Sequence, residues 1–141
     1  MLIAAAVLLF LAISAQLARF LSTENAERDA IVVVLKAETA GNEPALLAGI
    51  AGCAQSVSCR ATEQANIQRL RRPGAVKILT TKSATAYALS SQTGKTRVAW
   101  TVIGRLPVVQ CVVVRRHGSF LGGMSVDLLS LSAPISNTGD C

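Results

Sequence analysis

Three motifs in this chain carry the residue types that do chemistry. Gly94-Lys95-Thr96 matches the end of a phosphate-binding loop, where backbone amides cradle phosphate and the lysine reaches its outer oxygens. Such a loop needs a further glycine at position 89, which is Leu89, and no strand–loop–helix context follows. The segment is therefore expected to be a hairpin turn spanning residues 90–95. His117, the single histidine, needs a carboxylate or a nucleophile in reach to act as a general base. Asp127 on the following strand can face it across a hairpin, but one His and one Asp make no constellation. After Glu63 only Asp127 and Asp140 are acidic, so carboxylate-based chemistry lacks its parts. Catalytic, cofactor-binding and metal-ligating residues are accordingly assigned to none of the chain, and a non-enzyme is expected.

The third motif is the set of four cysteines, Cys53, Cys59, Cys111 and Cys141. Their spacing, C-x5-C with the other two far away and one histidine, is not a zinc pattern. Disulfides fit better, and they place the domain in an oxidising compartment. Three connectivities are possible. The favoured one joins Cys53 to Cys59 around a small loop and Cys111 to Cys141, which ties the C-terminal residues to a strand.

Charge is unevenly placed along a chain with a formal net charge of +6. Acidic residues come early, at Glu24, Glu27, Asp29, Glu38 and Glu43. Between positions 60 and 116 the basic residues face Glu63 alone. Arg60, Arg69, Arg71, Arg72, Lys77, Arg97, Arg115 and Arg116 are read either as a solvated basic face that keeps the domain soluble or as a surface for an anionic partner: lipid headgroups, an acidic polymer or an acidic protein. Nucleic acid is excluded as a partner by the expected compartment and by the scarcity of aromatic residues for base stacking.

The elements that must position these residues begin with an uncharged run over residues 1–15 that extends, with Gln16 and Arg19 snorkelling, to about Leu21. About 20 helical residues at ~1.5 Å each cross a ~30 Å hydrocarbon layer. The run lacks the basic n-region of a secretory signal, although Ile13-Ser14-Ala15 is a tolerable cleavage site. An earlier-removed leader or a misassigned start also accounts for the missing basic residues. Residues 1–21 are read as a retained anchor contacting membrane lipid, and residues 22–141 as one domain facing outside the cell. The alternatives are a cleaved signal and a buried soluble helix.

Beyond the anchor, residues 23–40 form a helix with Ala26, Ala30, Ile31, Val34 and Leu35 as its apolar stripe. Gly41-Asn42 ends it, and Pro44 opens a second helix over 45–51. A third covers 60–72, with Ala61, Ala65, Ile67 and Leu70 inward, and stops at Pro73-Gly74. Strands are expected over 75–81 (with 83–89 continuing after a bulge), 96–102, 108–116 and 124–132, followed by an irregular tail. Val98, Trp100 and Val102 share one strand face, and Trp100 and Tyr87 are read as core. Helices followed by consecutive strands give an α+β class: an N-terminal transmembrane helix, then helices packed on a curved four-stranded antiparallel sheet.

The anchor, the Asn25-Ala26-Glu27-Arg28-Asp29-Ala30 helix entry, the Leu35-Lys36-Ala37-Glu38-Thr39-Ala40-Gly41 close and the strands around Trp100 and Val112 resemble a known plan. It is that of membrane-anchored domains of the nuclear-transport-factor-two-like or cystatin-like fold, including the mammalian-cell-entry-associated proteins. The resemblance covers about residues 22–135 and lies in element order, with no diagnostic motif. It implies a tethered, non-catalytic binding or assembly module with a protein partner or self-assembly. The apolar first helix and the C-terminal cysteine loop are also similar to type IV pilins, which implies a filament subunit assembled through that helix. Ala5 stands where most pilins carry glutamate, and residues 41–44 would break a long pilin spine.

Overall fold

A computed structural model describes residues 2–84, 91–119 and 123–141. Helix α1 runs unbroken over Leu2–Ala40, 39 residues, a length of about 58 Å. No proline or glycine interrupts it, so the apolar and amphipathic halves remain one rod. Over residues 3–18 all described side chains but Ser14 are exposed, with Leu8 and Phe10 at 68% and 69%. In the second half Ile31, Val34 and Leu35 are buried. Ala26, expected in that stripe, is exposed; Glu27 and Thr23 occupy the inward positions one and two turns before Ile31.

Gly41 stops α1 in the left-handed conformation at φ +72°, and Asn42 N–H reaches back to the Ala37 carbonyl. Asn42 Oδ1 then accepts from Ala45 N–H, which caps α2, Glu43–Gly49. Gly49 lies so close to α1 that a Cβ there would sit 2.6 Å from Val34 Cγ2. A short 3-10 turn, Cys53–Gln55, leads to α3, Val57–Leu70. That helix starts three residues earlier than expected because Ser56 Oγ caps Cys59 N–H. The Cys53–Cys59 disulfide spans the same turn.

Four strands follow, β1 Val76–Ser83, β2 Gln92–Val102, β3 Val108–Ser119 and β4 Gly123–Leu131. They form an open antiparallel meander in the order β1-β2-β3-β4. The α+β class holds. Gly94-Lys95-Thr96 is not a turn: it lies within β2, paired with Val112, Val113 and Val114 of β3. Pairing with a β-branched partner strand outweighs the turn-like local composition. The β1 irregularity falls between Ile78 and Thr80, earlier than expected. Tyr87 and most of the 83–89 strand extension lie outside the described residues.

One sheet face carries Val98, Trp100, Val102, Val112, Val114, Leu128 and Leu131 against the three helices, closing the core with Leu46, Ile50 and Leu70. The opposite face receives the chain after β4. Ile135 bridges to Val109, and Arg97 donates to the carbonyls of Asn137 and Gly139. The Cys111–Cys141 disulfide ends the run, so the irregular tail is fastened across the sheet.

On chain-entropy grounds a loop of 30 residues contributes about 3–4 kcal/mol. The C111S/C141S double variant is expected to lose about that much stability. Its amides from 135 to 141 should exchange at rates close to those of free peptide, while the α1–α3 core keeps its protection. Hydrogen exchange read by mass spectrometry checks this, and unchanged protection of the tail would contradict it.

Candidate functional site

The polar residues with the most unusual surroundings lie in two clusters between α1 and the sheet. The first is built by α1, β1, β2 and β3. Glu27 shares the inward face of α1 with Ile31, four residues on. Thr96 is the first buried position of β2 and Arg116 the last among the described side chains of β3, by the same alternation that buries Val98, Val112 and Val114. Arg116 Nε donates to Glu27 Oε2 at 2.8 Å, and Arg116 Nη2 donates to the same oxygen. Thr96 Oγ1 donates to Glu27 Oε1, while Ser83 Oγ stands 3.2 Å from both Thr96 Oγ1 and Arg116 Nη2. The side chains of Arg116 and Glu27 are 2% and 3% exposed. This pair forms part of the wall of a polar cleft of about 390 Å³ between α1 and β1, which Glu24, Asn25, Arg28, Thr80 and Thr81 also line.

The second cluster sits three turns further along α1. Gln110 Nε2 donates to Glu38 Oε1 at 2.9 Å, and Gln110 Oε1 accepts from Trp100 Nε1 at 2.7 Å. Glu63 of α3 accepts from Asn66 Nδ2 at 3.2 Å, and the same amide reaches the Ser132 carbonyl. Burial pushes the Glu38 carboxyl up to about 7; the Gln110 hydrogen bond opposes the rise, and the nearby Glu63 carboxylate adds to it. Burial also raises Glu63, against the Asn66 hydrogen bond and a backbone hydrogen bond at Leu131. Glu38 Oε2 has no hydrogen-bond partner among the described residues. Both carboxyls are sealed in, so this cluster can hold a proton but does not meet solvent.

The eight basic residues expected to form one surface do not come together. Arg116 is buried and belongs to the interior ion pair, because alternation along β3 turns it towards α1. Arg60 Nη1 is bound to the Ala54 carbonyl on the helical layer, and Arg69 is exposed on α3. Arg71, Arg72 and Lys77 lie around the α3–β1 connection, with Arg72 Nη1 donating to the Leu106 carbonyl. Arg97 is held by the tail, and Arg115 Nη2 pairs with Asp127 Oδ2 at 2.7 Å. His117 sits diagonally to that pair, with Nδ1 3.6 Å from the same Asp127 oxygen and Ser125 as its register partner. Among the described residues no group of three or more His, Cys, Asp or Glu is placed to hold a metal ion.

Sequence reasoning missed Glu27, Glu38, Glu63 and Gln110. Their signal was periodicity, since Thr23, Glu27, Ile31 and Leu35 recur every four residues and Gln110 shares parity with Val112 and Val114. Comparison of the chain with family models, curated proteins and solved structures yields no match.

Removing one partner of a buried pair strands the other charge, at a cost of about 3–5 kcal/mol. E27A is therefore expected to be strongly destabilised. The apolar replacement E27L/R116M should recover most of the loss, and thermal unfolding of the three proteins checks the order. Equal stability of E27A and wild type would contradict the assigned burial.

Glu38 generates a pH dependence of the opposite sign to that of a salt-bridged carboxylate. Its folded value of about 7 lies above the ordinary 4.5, so between these pH values the unfolded chain releases a proton that the folded chain keeps. Stability is complete below about pH 4.5, falls as pH rises to about 7, and is then lower by up to about 3 kcal/mol. E38Q retains an acceptor for Gln110 and removes the charge. It should match wild type near pH 4.5, exceed it above pH 7 and lack this slope in denaturation series. Parallel pH profiles for the two proteins would refute the assignment.

Proposed function

We propose that this protein is a single-span membrane protein whose α+β head, outside the cytoplasm, is a non-catalytic binding or assembly module. The observation that carries this reading is the division of α1. Its apolar first half is long enough to cross a membrane and, among the described residues, has none buried inside the protein, while its second half is core to the head. Exposing that much aliphatic surface to water is unfavourable at about 25 cal/mol per Å², and lipid is the solvent that removes the penalty. Two disulfides support an oxidising compartment for the head. The helices laid on one face of an antiparallel meander are in keeping with a cystatin-like or nuclear-transport-factor-two-like plan, whose members include non-catalytic binders.

A second reading, a pilin-like filament subunit, is favoured by two specific features. The helix continues without a break from its exposed apolar half onto the sheet, and the C-terminal tail is closed by a disulfide onto the same sheet. In that case the exposed half of α1 packs against its counterparts in a fibre.

The tethered reading predicts that the full chain stays in the membrane pellet after alkaline carbonate extraction. It also predicts that protease added to intact cells removes the head, and that a chain beginning at Ser22 is recovered folded and soluble. A head that resists shaving until the cytoplasmic side is opened would overturn the orientation. Recovery in sheared surface fibres, with a methylated N-terminal residue after a removed leader, would replace this reading with the filament.

A further inference from the structure

We propose that the outer face of the sheet carries a binding site for a phosphate-class anion, in the cleft that the C-terminal tail makes with β1 and β2. This cleft encloses about 550 Å³ and is lined by Lys82, Lys95 and Arg97 together with Asp140 and Cys141. The three cations share one face because Ser83 and Thr96, their strand neighbours, turn inward to the Glu27–Arg116 pair. Lys82 and Arg97 are direct cross-strand partners, and Ala84 N–H is bonded to the Lys95 carbonyl. Like charges directly opposite on a sheet repel, and an anion seated between them relieves the repulsion. Among the side chains of the lining three are cationic, Lys82, Lys95 and Arg97, and one, Asp140, is acidic.

The tail builds the opposite wall. Arg97 Nε donates to the Gly139 carbonyl at 2.9 Å and Lys95 Nζ to the Cys141 carbonyl at 2.8 Å, so both side chains are oriented before any ligand arrives. The Cys111–Cys141 disulfide holds that wall in place. Pre-orientation of a flexible lysine lowers the entropic cost of gripping an anion.

The position of the cleft points to a source for the anion. Glu27 is six residues past Leu21, about 9 Å along the helix from the end of the apolar stretch. Its partners Ser83, Thr96 and Arg116 mark the same height on the sheet, and Gly94 and Lys95 lie on the anchor side of Thr96. With the apolar half of α1 in a bilayer, a step that rests on the tethered reading, these lysines stand within side-chain reach of the headgroup phosphates. A soluble phosphorylated compound offers the same chemistry.

The test uses the full chain in nanodiscs of pure phosphatidylcholine or with added phosphatidylglycerol, followed by hydrogen exchange, and a titration of inorganic pyrophosphate into the neutral discs. Residues 82–84 and 94–97 are expected to gain protection in a salt-sensitive manner. Each of K82Q and K95Q should weaken the response about five-fold. C111S/C141S should weaken it as well. Protection with phosphatidylglycerol but not with pyrophosphate assigns the site to headgroups, and the converse assigns it to a soluble phosphate. Absence of both responses, or responses that survive K82Q/K95Q, overturns the site. Failure of the chain to enter nanodiscs at all would count against the tether instead, and the pyrophosphate titration then decides the site with the chain in solution.

Discussion

The interior ion pair between Glu27 and Arg116 is the constraint on which the head depends. Removing two charges from water costs several kcal/mol per ion, and only good geometry with extra hydrogen bonds offsets it. Here Thr96 and Ser83 supply those bonds, so four residues from α1, β1, β2 and β3 are committed to one point. Three of the four strands and the long helix are thereby fixed relative to each other where no apolar contact would be equally selective. An aliphatic core accepts many small displacements, whereas a buried guanidinium does not.

The second polar layer works by different physics. Glu38 and Glu63 are held by side-chain amides and a backbone hydrogen bond at Leu131 rather than by a cation, so burial leaves their charges uncompensated and raises the proton affinity of both. Between the two layers run Ile31, Val34 and Leu35, which meet Trp100, Val112 and Val114. The inward face of α1 thus reads polar, apolar, polar, and each band has a single matching band on the sheet. The indole of Trp100 belongs to both kinds of band, with its ring in the core and its N–H on Gln110.

Much of this was legible in the residues. Alternation identified Val98, Trp100 and Val102 as one buried face, and the same alternation puts Cys111 on the opposite face, where the tail and Cys141 meet it. Local stop signals located the end of α1 at Gly41 and of α3 before Pro73. Charge misled where it outranked period. Glu27 and Glu63 look like solvated acids, and Arg116 like part of a basic run, but their spacing from Ile31, Leu70 and Val114 is that of inward positions. On α3 the expected inward Ala61 is exposed because Glu63 and Asn66 turn the helix the other way. The partner strand was decisive again at Gly94-Lys95-Thr96, whose composition suggests a turn while three valines opposite extend it. No local rule gives a pairing between residues 89 positions apart, such as Glu27 with Arg116.

These two layers also set how the head stands on its helix. Glu27 and Glu38 are eleven residues apart on one rigid element, about 16 Å along the axis. A slide of the helix by one turn, ~5.4 Å, would put Arg116 opposite an aliphatic or small side chain and leave Glu27 without its cation, a loss far above thermal energy. Rotation is forbidden for the same reason, since a quarter turn would carry both glutamates out of reach together. Because α1 has no break between its exposed half and these anchoring points, the restriction extends to the apolar segment. Whatever surrounds that segment, lipid or neighbouring copies, therefore meets the sheet at one height and one azimuth. Ser83 of β1, Thr96 of β2 and Arg116 of β3 lie at the level of Glu27, toward the exposed half of α1, and the β2–β3 turn with its exposed Ile103 and Leu106 lies at the opposite end of the sheet. The molecule thus has two chemically distinct ends, and two buried carboxylates on one helix face hold them apart.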